Sequence, residues 1–186
     1  MRHGETDWNA EMRFQGRQDI SLNKTGRAQA KRNGAALKAA LANPDDFDFI
    51  CSPMLRTRET MEIIRSELGL EPADYRIDER LVEMSYGDLE GVTIFELKAN
   101  HRDIHLSRKT NRWHFCPPGG ESLAMTLERA APVFDEISKP SVVVAHGAVG
   151  RGVRKHLLDL DEQDAAWYTF PQDKVFRFES GIEELL

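Results

Sequence analysis

Arg2-His3 at the chain start, Arg56, Glu83 and His146 are side chains suited to chemistry at phosphorus. An imidazole is largely uncharged near its reference pKa of about 6.5, so histidine is a competent nucleophile at neutral pH. Its attack on a phosphoryl group gives a phosphoramidate, labile enough for water to discharge in a second step. Guanidinium forks bind the nonbridging oxygens two at a time, where the transition state spreads its charge. A second histidine, protonated, adds a donor, and a carboxyl of raised pKa delivers a proton to the leaving alkoxide. Such a set requires no metal and no organic cofactor. Taken singly, each residue has an ordinary reading. Arg2-His3 is a solvated terminus, Arg56 a surface or salt-bridged arginine, Glu83 a loop carboxylate, and His146 a hydrogen-bonded core histidine.

Their placement separates them from those readings, because each follows a strand-like segment or opens the chain. Phe47–Cys51 reads as a short strand, Tyr75–Asp78 as another, and Ser141–Ala145 as an apolar run covered on both faces. Helices are predicted over Thr25–Leu41 with Thr25 as N-cap, and from Ser52-Pro53 to Leu68 with Ser52 as N-cap and Gly69 closing. The latter helix would turn its positive end toward an anion. Further helices are expected near Val92–Asn100, Asp103–Arg108, Glu121–Ile137 with a bend at Pro132, and Gly147–Leu158; Lys174–Phe178 reads as a last strand. Leu81–Gly91 reads as a loop, and Pro117–Gly120 as a break. The alternation predicts an α/β domain spanning 1–186, a three-layer α/β/α arrangement with a mostly parallel central sheet. In such sheets the reacting groups gather at the carboxyl ends of the strands.

With 186 residues, 40% apolar and 30% charged, the chain is long enough for one well-cored domain. A net charge of −6 argues against nucleic acid as a partner, while a few arginines in one cleft still suit a small phosphorylated metabolite. No apolar run approaches the ~18 residues of a membrane span, so no membrane association is expected. The absence of an apolar leader in Met1–Glu5, with Cys51 and Cys116 in no metal or redox spacing, makes a reducing cytoplasm the expected compartment. Oligomeric state is open, a homodimer included.

The local sequences resemble the phosphoglycerate-mutase-like branch of the histidine phosphatase superfamily. Arg2-His3-Gly4-Glu5-Thr6 with Trp8-Asn9 resembles its N-terminal signature, continued by Phe14-Gln15-Gly16, Asp19, Leu22, Gly26 and Gln29-Ala30. Ser52–Arg56 with Thr60, Leu81-Val82-Glu83 with Gly87 and Leu89-Glu90-Gly91, Pro118–Ser122, and Val143–Gly147 follow in order. The resemblance implies His3 as the phosphorylated nucleophile, Arg2, Arg56 and His146 as the phosphate pocket, and Glu83 as the proton donor. It further implies that Asn9, Gln15, Gly16, Tyr86 and Gly147 line the substrate. Mutases of the family carry a long insertion before the Gly-Gly-Glu-Ser motif. Here the segment from Val92 to Pro118 is short, and its Arg102, Arg108, Lys109 and Arg112 match no family pattern, so hydrolysis is expected over phosphate relocation. A phosphoglycerate mutase and a catalytically idle phosphate-binding module are the rival readings.

Family members also place an apolar strand directly before the Arg-His pair, where this chain has only Met1. About five buried aliphatic residues, at roughly 1.5–3 kcal/mol each, would contribute on the order of 10 kcal/mol. The expectation is therefore that the polypeptide begins upstream or that another segment fills the strand's place. Among weaker signals, His101 and His105 have helical metal-pair spacing but read as a polar helix face. Trp113 and Phe115 wall the substrate cleft or simply pack, while Trp167, Tyr168 and Phe170 are expected to cover the sheet.

Overall fold

The computed structural model describes all residues from Met1 to Leu186. Its elements begin with α1 (Asp7–Ala10), α2 (Lys24–Ala40), β1 (Asp48–Cys51), α3 (Leu55–Leu68) and β2 (Arg76–Ile77). Next come α4 (Ile94–Asn100), α5 (Arg102–Thr110), α6 (Leu123–Asp135) and β3 (Ser141–Val144). The chain closes with α7 (Gly147–Leu158), α8 (Glu162–Trp167), β4 (Phe176–Glu179) and β5 (Ile182–Leu185). No helix is long and apolar enough to cross a membrane.

The central sheet is parallel, in the order β2-β1-β3. Asp48 lies opposite Ser141 and Cys51 opposite Val144, so β1 and β3 end at the same level. The two-residue period of a strand sorts their side chains onto two faces. Phe49, Cys51, Val142 and Val144 pack with Leu37 of α2 and Met61, Ile64 and Leu68 of α3. Ile50, Val143 and Ala145 pack on the other face with Ala130 and Val133 of α6 and Val149 and Val153 of α7. The expected α/β/α layering follows from that alternation, since the apolar runs have no face left for water. Burial also pushes the Cys51 thiol up to about 12, leaving it an inert core group.

Several boundaries differ from expectation for identifiable reasons. Asn23, not Thr25, caps α2, because its side chain reaches the Gly26 N–H (2.9 Å) while Thr25 lies inside the first turn. α3 begins only at Leu55, leaving Ser52 and Pro53 outside it. The Ser52 hydroxyl is engaged elsewhere, and the Leu55 N–H donates instead to Asp19 Oδ1 (2.7 Å). That amide is thereby closed to an anion. Gly69 ends α3 in the left-handed region as expected (φ 80°). The strand expected over Lys174–Phe178 is β4, which begins at Phe176 and pairs antiparallel with β5 in a separate hairpin sheet. α1 and α8 are one or two turns long, too short to show an apolar period, and owe their starts to caps at Thr6 and Asp161.

Where a first strand was expected, Met1–His3 forms only a stub along β3. Arg2 bridges to Ala145 in parallel sense, His3 N–H donates to Ala145 O (3.0 Å), and Ala145 N–H donates to Met1 O (3.1 Å). No other segment fills the strand's place. A cleft of about 690 Å³ runs there, between Val143 and Val149 on one side and Phe170 and Phe176 on the other.

Trp113 is core, packed with Met84, Leu123 and Ala148, which decides the question left open for it. Trp167 is half-exposed rather than covering the sheet, whereas Phe170 is buried and stacks on Phe176 (4.2 Å between centroids). His101 sits at the junction of α4 and α5, not on one helix face with His105.

Candidate active site

The chemical groups meet beyond the carboxyl ends of β1 and β3. His3 comes from the stub paired with Ala145, and His146 follows Ala145 just beyond β3; their ring centroids are 5.2 Å apart at 60°. Both rings are buried, 2% and 1% exposed. The His3 Nδ1 lies 2.7 Å from the Gly4 carbonyl, which can only accept. The proton is thus assigned to Nδ1 and a lone pair is left on Nε2. Burial, with Arg56 and then Arg2 beside it, holds the His3 imidazole well below 6.5. It is a neutral base whose free nitrogen faces the guanidiniums.

Arg56 is fully buried in the first turn of α3. Its Nη1 donates to Gln18 O and its Nη2 to Gly16 O, both at 2.8 Å, and its Nε lies 3.3 Å from His3 Nε2. The hydrogen-bond network orients the Gln15 amide so that its oxygen accepts from Arg56 Nε (2.7 Å) and Nη1 (2.9 Å), with its nitrogen toward Thr6 Oγ1. The shorter bond goes to Gln15, so the His3 lone pair is only weakly engaged. Burial pushes the Arg56 guanidinium down to about 10. Gly16 sits at φ 53°, and a Cβ there would collide with the Glu90 carboxylate. That carboxylate accepts from Arg17 N–H (3.0 Å), Tyr86 N–H (3.2 Å) and Gln18 Nε2 (2.8 Å). Glu90 therefore ties the Gln15–Gln18 loop to the Tyr86 loop across the pocket.

His146 lies two residues beyond β3, at the N-cap position of α7. Its Nε2 lies 2.7 Å from Ser52 Oγ, and its buried Nδ1 has no partner. Burial first, then Arg56, His3 and Arg2, hold its pKa well below 6.5. The expectation of a protonated second histidine is thus corrected: burial and the neighbouring cations favour the neutral ring. A neutral ring still donates from Nδ1 when the Ser52 hydroxyl donates to Nε2. Ser52 was read as a helix cap, and its place beside His146 was missed; no local signal connects residues 94 positions apart.

Glu83 is 9% exposed. Its Oε1 accepts from Met84 N–H (2.9 Å) and from Ala148 N–H (3.2 Å), while Oε2 has only a 3.4 Å contact to the same Ala148 amide. The first turn of α7 thus anchors the carboxyl beside His146. The Gly-Gly-Glu-Ser segment braces this loop. Glu121 accepts from Ser85 N–H (3.0 Å) and Arg129 Nη2 (3.1 Å), and Arg129 Nη1 donates to the carbonyls of Arg80 (2.6 Å) and Val82 (2.9 Å).

Arg2 donates from Nη1 to Phe170 O (3.0 Å), its Nε is buried without a partner, and burial then Arg151 push it down to about 10. A Cβ on Gly147 would lie 3.5 Å from Arg2 Nε and 3.8 Å from Arg151 Nη1, ordinary contact distances that place both guanidiniums beside the start of α7. Tyr86 packs on Phe14 (4.8 Å between centroids) at the pocket's other side. Asn9 is turned partly away: its Oδ1 accepts from Thr6 N–H (3.2 Å) and Gln172 Nε2 (2.9 Å). The arrangement offers a free imidazole nitrogen, an arc of guanidinium donors and a fixed carboxyl, the inventory that phosphoryl transfer needs.

Residues 1–180 match the family model described as the histidine phosphatase superfamily (branch 1). The chain belongs to that superfamily. Relatives of this superfamily member include a 2,3-bisphosphoglycerate-dependent phosphoglycerate mutase of Parvibaculum lavamentivorans, 34% identical over 169 residues, which cover 87% of this chain and 78% of the relative. Among solved structures it is similar to a mycobacterial glucosyl-3-phosphoglycerate phosphatase in complex with VO3, 28% identical at a TM-score of 0.77, covering 89% of this chain and 83% of that one. A protein of Thermus thermophilus is 32% identical at a TM-score of 0.72, over 100% and 94% of the two chains. The relatives and solved structures to which this chain is similar therefore carry names of both phosphatases and mutases.

Proposed function

We propose that the protein is a phosphatase that hydrolyses a small phosphomonoester through a phosphohistidine on His3, without a metal ion. The observation that carries this reading is the pairing of the two buried imidazoles, 5.2 Å apart, with Arg56 beside the His3 Nε2. In the first step the His3 Nε2 lone pair forms a P–N bond as the P–O bond to the leaving group breaks. Arg2, Arg56 and the Nδ1–H of His146 hold the nonbridging oxygens, and Glu83 passes its proton to the leaving oxygen. In the second step water forms a new P–O bond and gives a proton back to Glu83 as the P–N bond breaks. Inorganic phosphate leaves, and His3 is neutral again.

Hydrolysis is favoured over relocation by the short segment between Val92 and Pro118, which forms only two small helices, α4 and α5. A mutase reading has its own support, the 34% identity to a named mutase over most of the chain. The discriminating assay compares phosphate release with interconversion of 2- and 3-phosphoglycerate in the presence of 2,3-bisphosphoglycerate. Faster interconversion than release would replace the phosphatase reading by the mutase one. The nucleophile is tested with p-nitrophenyl phosphate: His3→Ala is expected to lose at least ~10³-fold in turnover, and equal rates would remove His3 from the mechanism.

A further inference from the structure

The Arg56 guanidinium is aimed by carbonyls of the Gln15–Gln18 loop, so its position is only as firm as that loop. Its Nη2 and Nη1 are committed to Gly16 O and Gln18 O, both at 2.8 Å. Yet Arg17, Gln18 and Asp19 are exposed, and no packed layer covers the loop from outside. Exposed backbone of this kind opens readily unless something ties it down. Arg17 Nη2 meets Glu121 Oε1 (2.9 Å), but at the end of a half-exposed side chain. The tie to the loop backbone is Glu90, 73 positions from Arg17 in sequence.

Glu90 is set firmly on its own side. Beside it, Gly91 N–H donates to Phe14 O (2.8 Å) and Phe14 N–H to Val92 O (2.9 Å). Its Oε1 turns back to accept from Tyr86 N–H (3.2 Å) and also accepts from Arg17 N–H (3.0 Å), while Oε2 accepts from Gln18 Nε2 (2.8 Å). All three donors are uncharged, so reach and acceptor geometry define the contact more than charge does. The fit is close: a Cβ on Gly16 would lie 2.1 Å from Oε1. The loop is thus gripped from both sides, by Arg56 within and by Glu90 without.

We propose that Glu90 is a positioning residue for phosphoryl transfer, which clamps the Gln15–Gln18 loop onto Arg56 and so fixes the guanidinium against His3 Nε2. This inference rests on the phosphatase reading and adds a group that touches neither the substrate nor the reacting nitrogen. Electrostatic stabilisation of a phosphoryl transition state depends on donors held in place beforehand, and a displacement of about 1 Å costs up to ~10²-fold in rate.

The test separates reach from charge by following p-nitrophenyl phosphate turnover in Glu90→Asp and Glu90→Gln proteins. Glu90→Asp keeps the charge but is one methylene short of the loop, and kcat/KM should fall about tenfold or more. Glu90→Gln keeps the length and one oxygen for the two backbone N–H groups, and the exposed Gln18 amide can present its own oxygen to the new donor, so turnover should stay within about threefold of wild type. The opposite order, Asp active and Gln impaired, would mean that Glu90 acts through its charge on Arg56, and it overturns the clamp. Wild-type rates in both variants overturn it as well. Rates are referred to folded protein, measured by urea unfolding. In an Arg56→Lys background, which lacks the fork that spans both carbonyls, adding Glu90→Asp should cost less than about twofold; an undiminished loss overturns the route through Arg56. Inorganic phosphate affinity, measured by calorimetry on wild type, both single variants and the double variant of that cycle, separates this claim from the reading beneath it. Turnover through His3 that is indifferent to the Asp–Gln contrast sinks the clamp alone. An Arg56-dependent effect of Glu90→Asp on phosphate binding, without any turnover, sinks the phosphatase reading alone.

Discussion

Acidification should destabilise the unliganded protein through His3 and His146, in a window where its carboxylates contribute little. Both rings are buried and have pKa values held well below 6.5 by burial and neighbouring cations. Unfolding returns them to about 6.5, so below that pH the unfolded state binds more protons, and stability falls as pH falls. From pH 7 to 5.5 each ring then contributes a loss of up to about 1.3 kcal/mol, roughly 2.5 kcal/mol together where both stay unprotonated in the folded state, from the linkage relation with its slope of about 1.4 kcal/mol per pH unit. For a domain of this size that corresponds to a Tm decrease of about 5–10 °C. Asp78 and Glu136 act in the same direction, but hydrogen bonds from Arg80 hold them below their usual values of 3.8 and 4.5, so their loss begins at lower pH. The Met1 amine, lowered to about 5 by burial, also acts in the same direction but is shared by wild type and variants. The difference between wild type and a His3→Asn, His146→Asn protein in urea unfolding at the two pH values therefore isolates the rings. Identical pH dependence in both proteins would refute the reasoning, as would an NMR titration showing either ring protonating near 6.5. The NMR measurement stands even where the double variant does not fold.

The remaining predictions concern the groups around those rings. Glu83→Gln should lower kcat by about 10²–10⁴-fold on an alkyl phosphate, whose leaving oxygen needs a proton, and far less on p-nitrophenyl phosphate, whose leaving group does not; equal losses on both would remove Glu83 as the proton donor. Ser52→Ala removes the only hydrogen bond to the His146 ring, because Nδ1 already has no partner. Urea unfolding should show a loss of about 1–3 kcal/mol, the cost of a buried unsatisfied group, together with weaker phosphate binding. Unchanged phosphate affinity would mean that Ser52 does not orient the ring.

The chain's own periodicities and breaks carried much of the architecture. The run Ser141–Ala145 announces a strand covered on both faces, and Gly69 marks the end of α3, because these signals depend on the residues' own steric and apolar character. The identity of the site was legible for a related reason. In a parallel sheet, residues just after strands share one edge, so Cys51 followed by Arg56 and Ala145 followed by His146 already implied convergence. Elements whose ends depend on competition were less legible. Ser52 has the side chain of an N-cap, but a histidine 94 residues away takes its hydroxyl, and Asp19 caps Leu55 in its place.

What the sequence by itself determined is the set of reactive side chains, their order and the α/β frame that brings them to one end of a sheet. Tertiary structure alone decided their electrical state and their partners: His146 held toward its neutral form, Gln15 locking Arg56, and Ser52 beside His146. Local pattern records which groups a segment offers and which way they face. Charge state and pairing depend on the distance to groups far along the chain and on how much water is excluded, and neither exists until the layers close.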